Sequence, residues 1–146
     1  MILNKLLTYL KYEEQLLLEL NNLAEKQQFA LVKFQMDELE QIVKYQEEVA
    51  NNLKLAEEQR MQLLMSYFRI SKREAMELSL SKIEEHFSHE ERVEINKVKA
   101  KLKRLISDLS DKNLANKVLT NRARHSIREI INVFTDGNNN VYSVRV

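Results

Sequence analysis

The chain has 146 residues, of which 44% are hydrophobic and 31% are charged, and its formal net charge is +1. It contains one glycine, no proline and no cysteine. These counts exclude a glycine-rich phosphate loop, disulfides and thiolate metal sites, and they allow helices to run long without breakers. No apolar run approaches the roughly 20 residues of a membrane span, and residues 1–10 lack a signal-peptide cleavage site. We therefore expect a soluble, cytoplasmic protein without stable membrane insertion.

The first half of the chain has the apolar periodicity of two long amphipathic helices. Leucines in steps of three, four or seven predict a first helix from about Ile2 to Val32. After a short turn, acidic residues suited to a helix start introduce a second helix, which runs to about Phe68. Gln46 and Arg60 are polar members of its apolar stripe. We expect the stem of Arg60 to cover the seam while its head stays in water.

Two serines mark the starts of the remaining helices. Ser71 and Ser88 are each followed three residues later by a glutamate, which is the spacing of a capping box. The first box predicts one short amphipathic helix as far as Phe87. The second predicts a long helix from about His89 to Phe134.

These elements predict an all-α fold, an antiparallel helical bundle or coiled coil. It has two helices of about 30 residues, a short connecting helix and one long C-terminal helix. We expect a single domain over residues 1–135 and a flexible C-terminal tail over residues 136–146. Tyr45, Tyr67 and Phe68 are interpreted as seam or core aromatics. The heptad register of the last helix places Lys112 and Asn116 on its seam, where polar residues can fix register.

The predicted helix lengths do not match. At about 1.5 Å per residue, each of the first two helices spans roughly 45 Å and the last nearly 70 Å. The first pair can therefore cover only about two thirds of the last helix. The apolar residues of Leu114–Phe134 form one stripe, and Leu119–Phe134, or an equal length at the other end, is left without cover. Such a stripe needs a partner, and a second copy of the chain is one alternative.

No constellation in the sequence favours catalysis. Residues 85–90 (EHFSHE) contain two histidines three residues apart, but no facing Glu-x-x-His pair accompanies them. We interpret this segment as a solvated helix junction. No serine or threonine has a base at a recognisable nucleophile spacing. We expect no enzyme activity, no metal and no cofactor.

The C-terminal half has an excess of positive charge. Residues 97–128 contain ten basic side chains and only two acidic ones. Lysines two positions apart spread around a helix, and no helix-turn-helix or stacking platform accompanies them. We interpret the run as a solvated face opposite the acidic first hairpin and expect no nucleic acid. Nucleic acid and an acidic membrane surface are the alternatives.

Several stretches resemble the FlgN family of flagellar export chaperones. They are Leu20–Leu31 (LNNLAEKQQFAL) with Met36–Leu39 after it, Glu58–Leu64 (EQRMQLL), and a C-terminal third that contains Leu105, Leu109, Asn113, Asn116, Leu119, Ile127 and Tyr142. The likeness covers nearly the whole chain. The family's last tyrosine is usually followed by glycine, whereas Ser143 follows it here.

The resemblance implies a cytoplasmic, non-enzymatic chaperone. Such a protein binds hook-associated proteins before secretion, prevents their early assembly and delivers them to an export gate component. Substrate binding would fall on the C-terminal amphipathic helix. Tyr142 is interpreted separately, from its place in a polar tail, as a docking side chain, and a stray exposed tyrosine is the alternative. The residues concerned are Asn116, Leu119, Ala123, Ile127, Ile130, Ile131, Phe134 and Tyr142. The alternatives are a dimeric coiled-coil interaction protein and a chaperone for another flagellar substrate.

Overall fold

The computed structural model describes residues 2–78 and 80–137, with the side chains of residues 80, 81, 134 and 136 outside that description. The described part is helical and confirms the predicted fold class. Its helices are α1 (Ile2–Val32), α2 (Met36–Phe68), α3 (Lys72–Glu77), α4 (Leu80–Glu84) and α5 (His89–Gly137).

The first helix is the centre of the bundle, because both α2 and α5 pack against it. α2 runs antiparallel to α1. Gln46 donates to Gln27 at 2.8 Å near one end of the pair, and Arg60 contacts Glu13 at 2.9 Å nearer the other. The tight reversal between the two helices uses Phe34 in the left-handed region, at a φ of 55°.

The expectation that the head of Arg60 stays in water is wrong. Its guanidinium lies against the carboxylate of Glu13, and the side chain of Glu13 is only 5% exposed. Burial raises the pKa of Glu13, because desolvation outweighs the opposing effect of Arg60. A lone carboxylate so deep in a seam would be costly, so Arg60 turns inward to pair with it.

Two apolar clusters lie along the bundle. The first joins all five helices near the start of α1, and the second joins α1, α2 and α5 further along. The buried residues of the first are Leu3, Leu6, Leu7, Leu10, Leu64, Ala75, Ile83, Ile95 and Val98. Those of the second are Leu16, Leu20, Leu23, Val49 and Ala56, with Leu109 packed against them.

The segment between α2 and α5 is two short helices, where the sequence pattern predicts one. Leu78 takes an extended conformation that ends α3, with its N–H bonded to the carbonyl of Ala75 at 3.3 Å. Ala75 of α3 and Ile83 of α4, on the two sides of this break, both belong to the first apolar cluster.

Both serine caps form where the sequence predicts them. The hydroxyl of Ser71 accepts from the N–H of Glu74 at 3.2 Å, and that of Ser88 accepts from the N–H of Glu91 at 3.3 Å. The second cap is fully reciprocal, since the N–H of Ser88 donates to the Glu91 carboxylate at 3.1 Å. The cap therefore fixes the residue at which α5 begins.

Candidate functional site: the free end of α5

The register between α1 and α5 defines which part of α5 is covered. The two helices run parallel, and their side-chain hydrogen bonds join residues that differ by 84 to 92 in number. At this offset Val32, the last residue of α1, lies level with roughly residue 120. The helix continues to Gly137. We call residues 121–137 the overhang, which projects about 25 Å beyond the end of α1.

This geometry agrees with the predicted mismatch between the lengths of α1 and α5. It also shows which end of α5 is left uncovered. The covered part of α5 is about two thirds of its 49 residues. The uncovered third is at the C-terminal end, and not at the start of α5, where Ile95 is completely buried. The helix also runs three residues past the predicted end at Phe134.

An apolar stripe begins just before the overhang and runs along it, and it continues the face of α5 packed against α1. Ile127 is 43% exposed and Ile130 is 65% exposed. Leu119, Ala123 and Ile131 are half-buried. We call these five residues the stripe. On a helix of 3.6 residues per turn they centre on the same side as Leu105, Leu109 and Asn116, which pack or bond within the bundle.

The start of the predicted stripe is wrong. Leu114 is 64% exposed and Val118 is 42% exposed, although α1 lies beside this part of α5. Helical geometry explains the difference, because both residues lie roughly opposite the centre of the stripe. The apolar surface therefore begins at Leu119.

Asn116 is placed inside the bundle. It is 3% exposed, and its Nδ2 donates to the carbonyl of Ala24 at 2.9 Å and to Oε1 of Gln27 at 3.2 Å. Its amide nitrogen is thus engaged with α1, and a role of Asn116 in partner binding stays a prediction. The prediction that Asn116 lies on the seam is confirmed.

A second polar group joins the same two helices one turn earlier. Lys112 donates to Oδ1 of Asn21 at 3.1 Å and to Glu25 at 2.8 Å. The buried amide of Asn21 donates in turn to the carbonyl of Leu105 at 3.0 Å. These bonds have specific donors and acceptors, so they fix how far α5 slides along α1. They therefore also fix where the overhang begins.

A groove leads from the bundle to the overhang. It is lined by residues of α1, α2 and α5 and has a volume of about 580 Å³. Amides, a hydroxyl and two cations line it together with apolar surface, which makes up the larger share. The lining residues are Leu20, Gln27, Gln46, Ala50, Leu109, Asn113, Asn116, Lys117, Thr120, Asn121 and Arg124. The groove therefore reaches the stripe on its α2 side.

Two predicted contact residues fall partly or wholly outside the described part of the chain. Phe134 lies on α5 by its backbone, and its side chain is outside the description. Tyr142 lies outside the described residues, as does the rest of the tail beyond Gly137. Their roles stay predictions.

Other sequence features have structural explanations. The ring of His86 lies 4.9 Å from that of Phe68. Lys99 and Lys101, from the basic run, pair with Glu84 and Glu14 at 3.8 and 3.9 Å. Within residues 2–78 and 80–137, no three histidine or acidic side chains form a group that could hold a metal ion. In the same part of the chain, no helix is long and apolar enough to cross a membrane.

Comparison with known proteins identifies the family. The model of the family described as "FlgN protein" matches residues 1–145, which is almost the entire chain. Searches of curated proteins and of solved structures each returned no match. FlgN proteins are non-enzymatic export chaperones of flagellar hook-associated proteins. The chain, with its three long helices and its apolar overhang, belongs to the FlgN family.

Proposed function

We propose that this chain binds the terminal segments of hook-associated proteins on the stripe of α5, prevents their premature assembly in the cytoplasm and delivers them for export. The observation that carries the proposal is the exposure of the stripe beyond the end of α1. Ile127 and Ile130 are exposed on an otherwise well-packed helical face. Apolar surface of this kind is typical of a partner-binding site.

The bound segment would take the place that α1 has further down the bundle. The stripe continues the α5 face that packs on α1, so an amphipathic helix laid there would extend the α1 position past Val32. Burial of four or five such side chains, at roughly 1.5–3 kcal/mol each, supplies several kcal/mol. A segment that folds on binding pays for its ordering, which keeps the affinity moderate and suits later release.

A substrate segment held in this way is unavailable for assembly. Its apolar residues face the stripe, and the same residues would otherwise pack against other subunits. Delivery requires contact with an export gate component, and we assign Tyr142 as a docking side chain for a partner. The groove beside Arg124 borders the stripe on its α2 side.

The experiment compares two faces of the same helix. Ile127→Asp with Ile130→Asp should abolish binding of a hook-associated protein's terminal segment, measured by calorimetry, without loss of helical circular dichroism. The matched control is Leu114→Asp with Val118→Asp, because these residues are as exposed but lie on the opposite face. The control should bind like the wild type.

Two results would count against the proposal. The first is equal binding by the stripe variant and the control variant. The second is a tight dimer in light scattering that candidate segments do not disturb and that Ile127→Asp with Ile130→Asp dissociates, since the stripe would then be closed by a second copy.

A further inference from the structure

The stripe is bordered by positive charge on both sides. Arg122 flanks it on one side, and Lys117, Arg124 and Arg128 flank it on the other. All four side chains are exposed. Among the residues that the structure describes, none of the four has an ion pair within 4.0 Å.

Little negative charge opposes these cations locally. Between residues 117 and 131 the only acidic residue in the sequence is Glu129. Its carboxylate lies 3.1 Å from Nε2 of His125, on the Arg122 side of the helix. Neither of these two residues lies on the stripe. The side that carries Lys117, Arg124 and Arg128 is therefore wholly cationic, whereas the other side carries Arg122 and then Glu129.

The molecule as a whole does not share this positive charge. The net charge of the whole chain is only +1. The exposed surface of α2 has the opposite sign, with seven acidic residues against two lysines between positions 37 and 58. They are Asp37, Glu38, Glu40, Glu47, Glu48, Glu57 and Glu58, against Lys44 and Lys54. A general excess of basic residues thus does not explain the border.

We propose that the segment which occupies the stripe is an acidic amphipathic helix, with carboxylates on both sides of its apolar face. This inference rests on the proposed function and adds the chemical class of the segment. Facing carboxylates would meet Arg122 on one side and Arg124 on the other, where Arg can bind them bidentately. A basic amphipathic segment of equal hydrophobicity would be repelled, so the border selects among apolar segments.

The overhang also sets the length of this segment. About 17 residues of helix, or roughly 25 Å, extend beyond the end of α1. A docked helix of four to five turns would fill that length and abut the α1–α2 turn. Val32 and Phe34, each 55% exposed, are apolar at that point. The matching segment is therefore short, acidic and apolar along one face.

The test uses two synthetic peptides of about 18 residues with one identical leucine face. Their polar faces carry glutamate in one peptide and lysine in the other. Binding to the full chain is measured by fluorescence anisotropy over a series of salt concentrations. We expect the glutamate peptide to bind at least about tenfold more tightly at low salt, with the preference shrinking as salt rises.

The variant is Arg122→Glu with Arg124→Glu and Arg128→Glu. It should reverse the preference and keep the helical content. The control is Lys26→Glu with Lys44→Glu and Lys54→Glu, which changes the net charge equally at exposed sites away from the stripe. The control should keep the preference of the wild type.

The outcomes separate this inference from the proposed function. If both peptides bind equally and both lose binding with Ile127→Asp and Ile130→Asp, the docking site stands and the acidic preference is overturned. If the glutamate peptide binds and those two substitutions do not change its affinity, the docking site itself is overturned. A salt-sensitive dimer that the arginine variant dissociates would show that an acidic surface of a second copy occupies the stripe, and that result also overturns the inference.

Discussion

The carboxylate of Glu13 accepts from Nε of Arg60 through both oxygens, at 2.9 and 3.2 Å, in the middle of the α1–α2 seam. It lies on α1 between Leu10, in the first apolar cluster, and Leu16, in the second. The pair thus separates the two apolar clusters along the seam. It gives the two antiparallel helices one alignment that satisfies both charges.

Loss of one partner of this pair should be strongly destabilising. Arg60→Ala leaves a buried carboxylate without its cation, and we expect the free energy of unfolding to fall by about 2–4 kcal/mol. Urea denaturation followed by circular dichroism measures the change. The double variant Glu13→Met with Arg60→Met should recover most of the loss, because two apolar side chains then fill the seam. No recovery would mean that the attraction between Glu13 and Arg60 stabilises the fold by more than the desolvation of the two charges costs.

The stability contribution of Glu13 should depend on pH. Burial raises its folded-state pKa above the ordinary 4.5, although Arg60 acts in the opposite direction. The folded chain then holds the proton more tightly than the unfolded chain. The stability that Glu13 contributes by holding this proton is therefore complete below the unfolded-state pKa. It is lost as the pH rises through the folded-state pKa.

We therefore expect the wild type to gain stability relative to Glu13→Gln as the pH falls from about 7 toward the ordinary glutamate pKa. Urea midpoints of the two proteins at several pH values measure the difference. A difference that grows as pH rises would show that Arg60 outweighs burial and that the pKa is lowered.

The buried asparagine of α5 should contribute to stability through its bond to α1. Asn116→Ala removes the donor to the Ala24 carbonyl and should cost about 1–2 kcal/mol. The matched control is Asn113→Ala, one turn earlier on the same helix, where the side chain is exposed. We expect the control to change stability by less than about 0.5 kcal/mol. Equal effects would mean that helix propensity, and not the bond, sets the cost.

Core and stripe positions should respond differently to the same truncation. Leu6 is completely buried, so Leu6→Ala should destabilise the chain by about 2–5 kcal/mol. Ile130 is 65% exposed, and Ile130→Ala should change stability by no more than about 0.5 kcal/mol. Thermal and urea denaturation measure both. A large loss at Ile130 would contradict a free stripe, because it would mean that the side chain is covered.

The cap of α5 gives a further prediction. Ser88→Ala removes the acceptor for the N–H of Glu91 and leaves only the bond from the backbone N–H of residue 88 to the Glu91 carboxylate, so we expect a loss of about 1 kcal/mol. Ser107→Ala, at an exposed position in the middle of the same helix, is the control. It should be neutral or slightly stabilising, since alanine is the better helix former. A neutral result at Ser88 would show that the cap is dispensable.

Much of the fold was predictable because it depends on local patterns. Apolar periodicity gave the ends of α1 and α2, and the two serine boxes gave the starts of α3 and α5. The length mismatch needed only the rise per residue of a helix. Which end of α5 is uncovered needed the register along α1, which depends on contacts such as Lys112 with Glu25.

The wrong predictions concern which helix faces pack against each other. Glu13 and Arg60 are 47 residues apart, and no spacing rule shows that they pair. Tyr45 and Tyr67 are 58% and 56% exposed, so their interpretation as seam residues is wrong, whereas Phe68 is packed against the first cluster. No proline or glycine in the sequence marks the break at Leu78. The break accompanies the burial of Ala75 before it and Ile83 after it in the first cluster.

The parallel course of α1 and α5 has a consequence for hydrogen exchange. Up to about residue 120, opening an α5 amide requires separating two helices, whereas beyond it only local backbone bonds hold the amide. Exchange should therefore accelerate abruptly along a single unbroken helix. The isoleucines at 127, 130 and 131 are β-branched and lower the local helix propensity further. A ligand that adopted the α1 position there would move the boundary toward Gly137, so the position of that boundary reports occupancy directly.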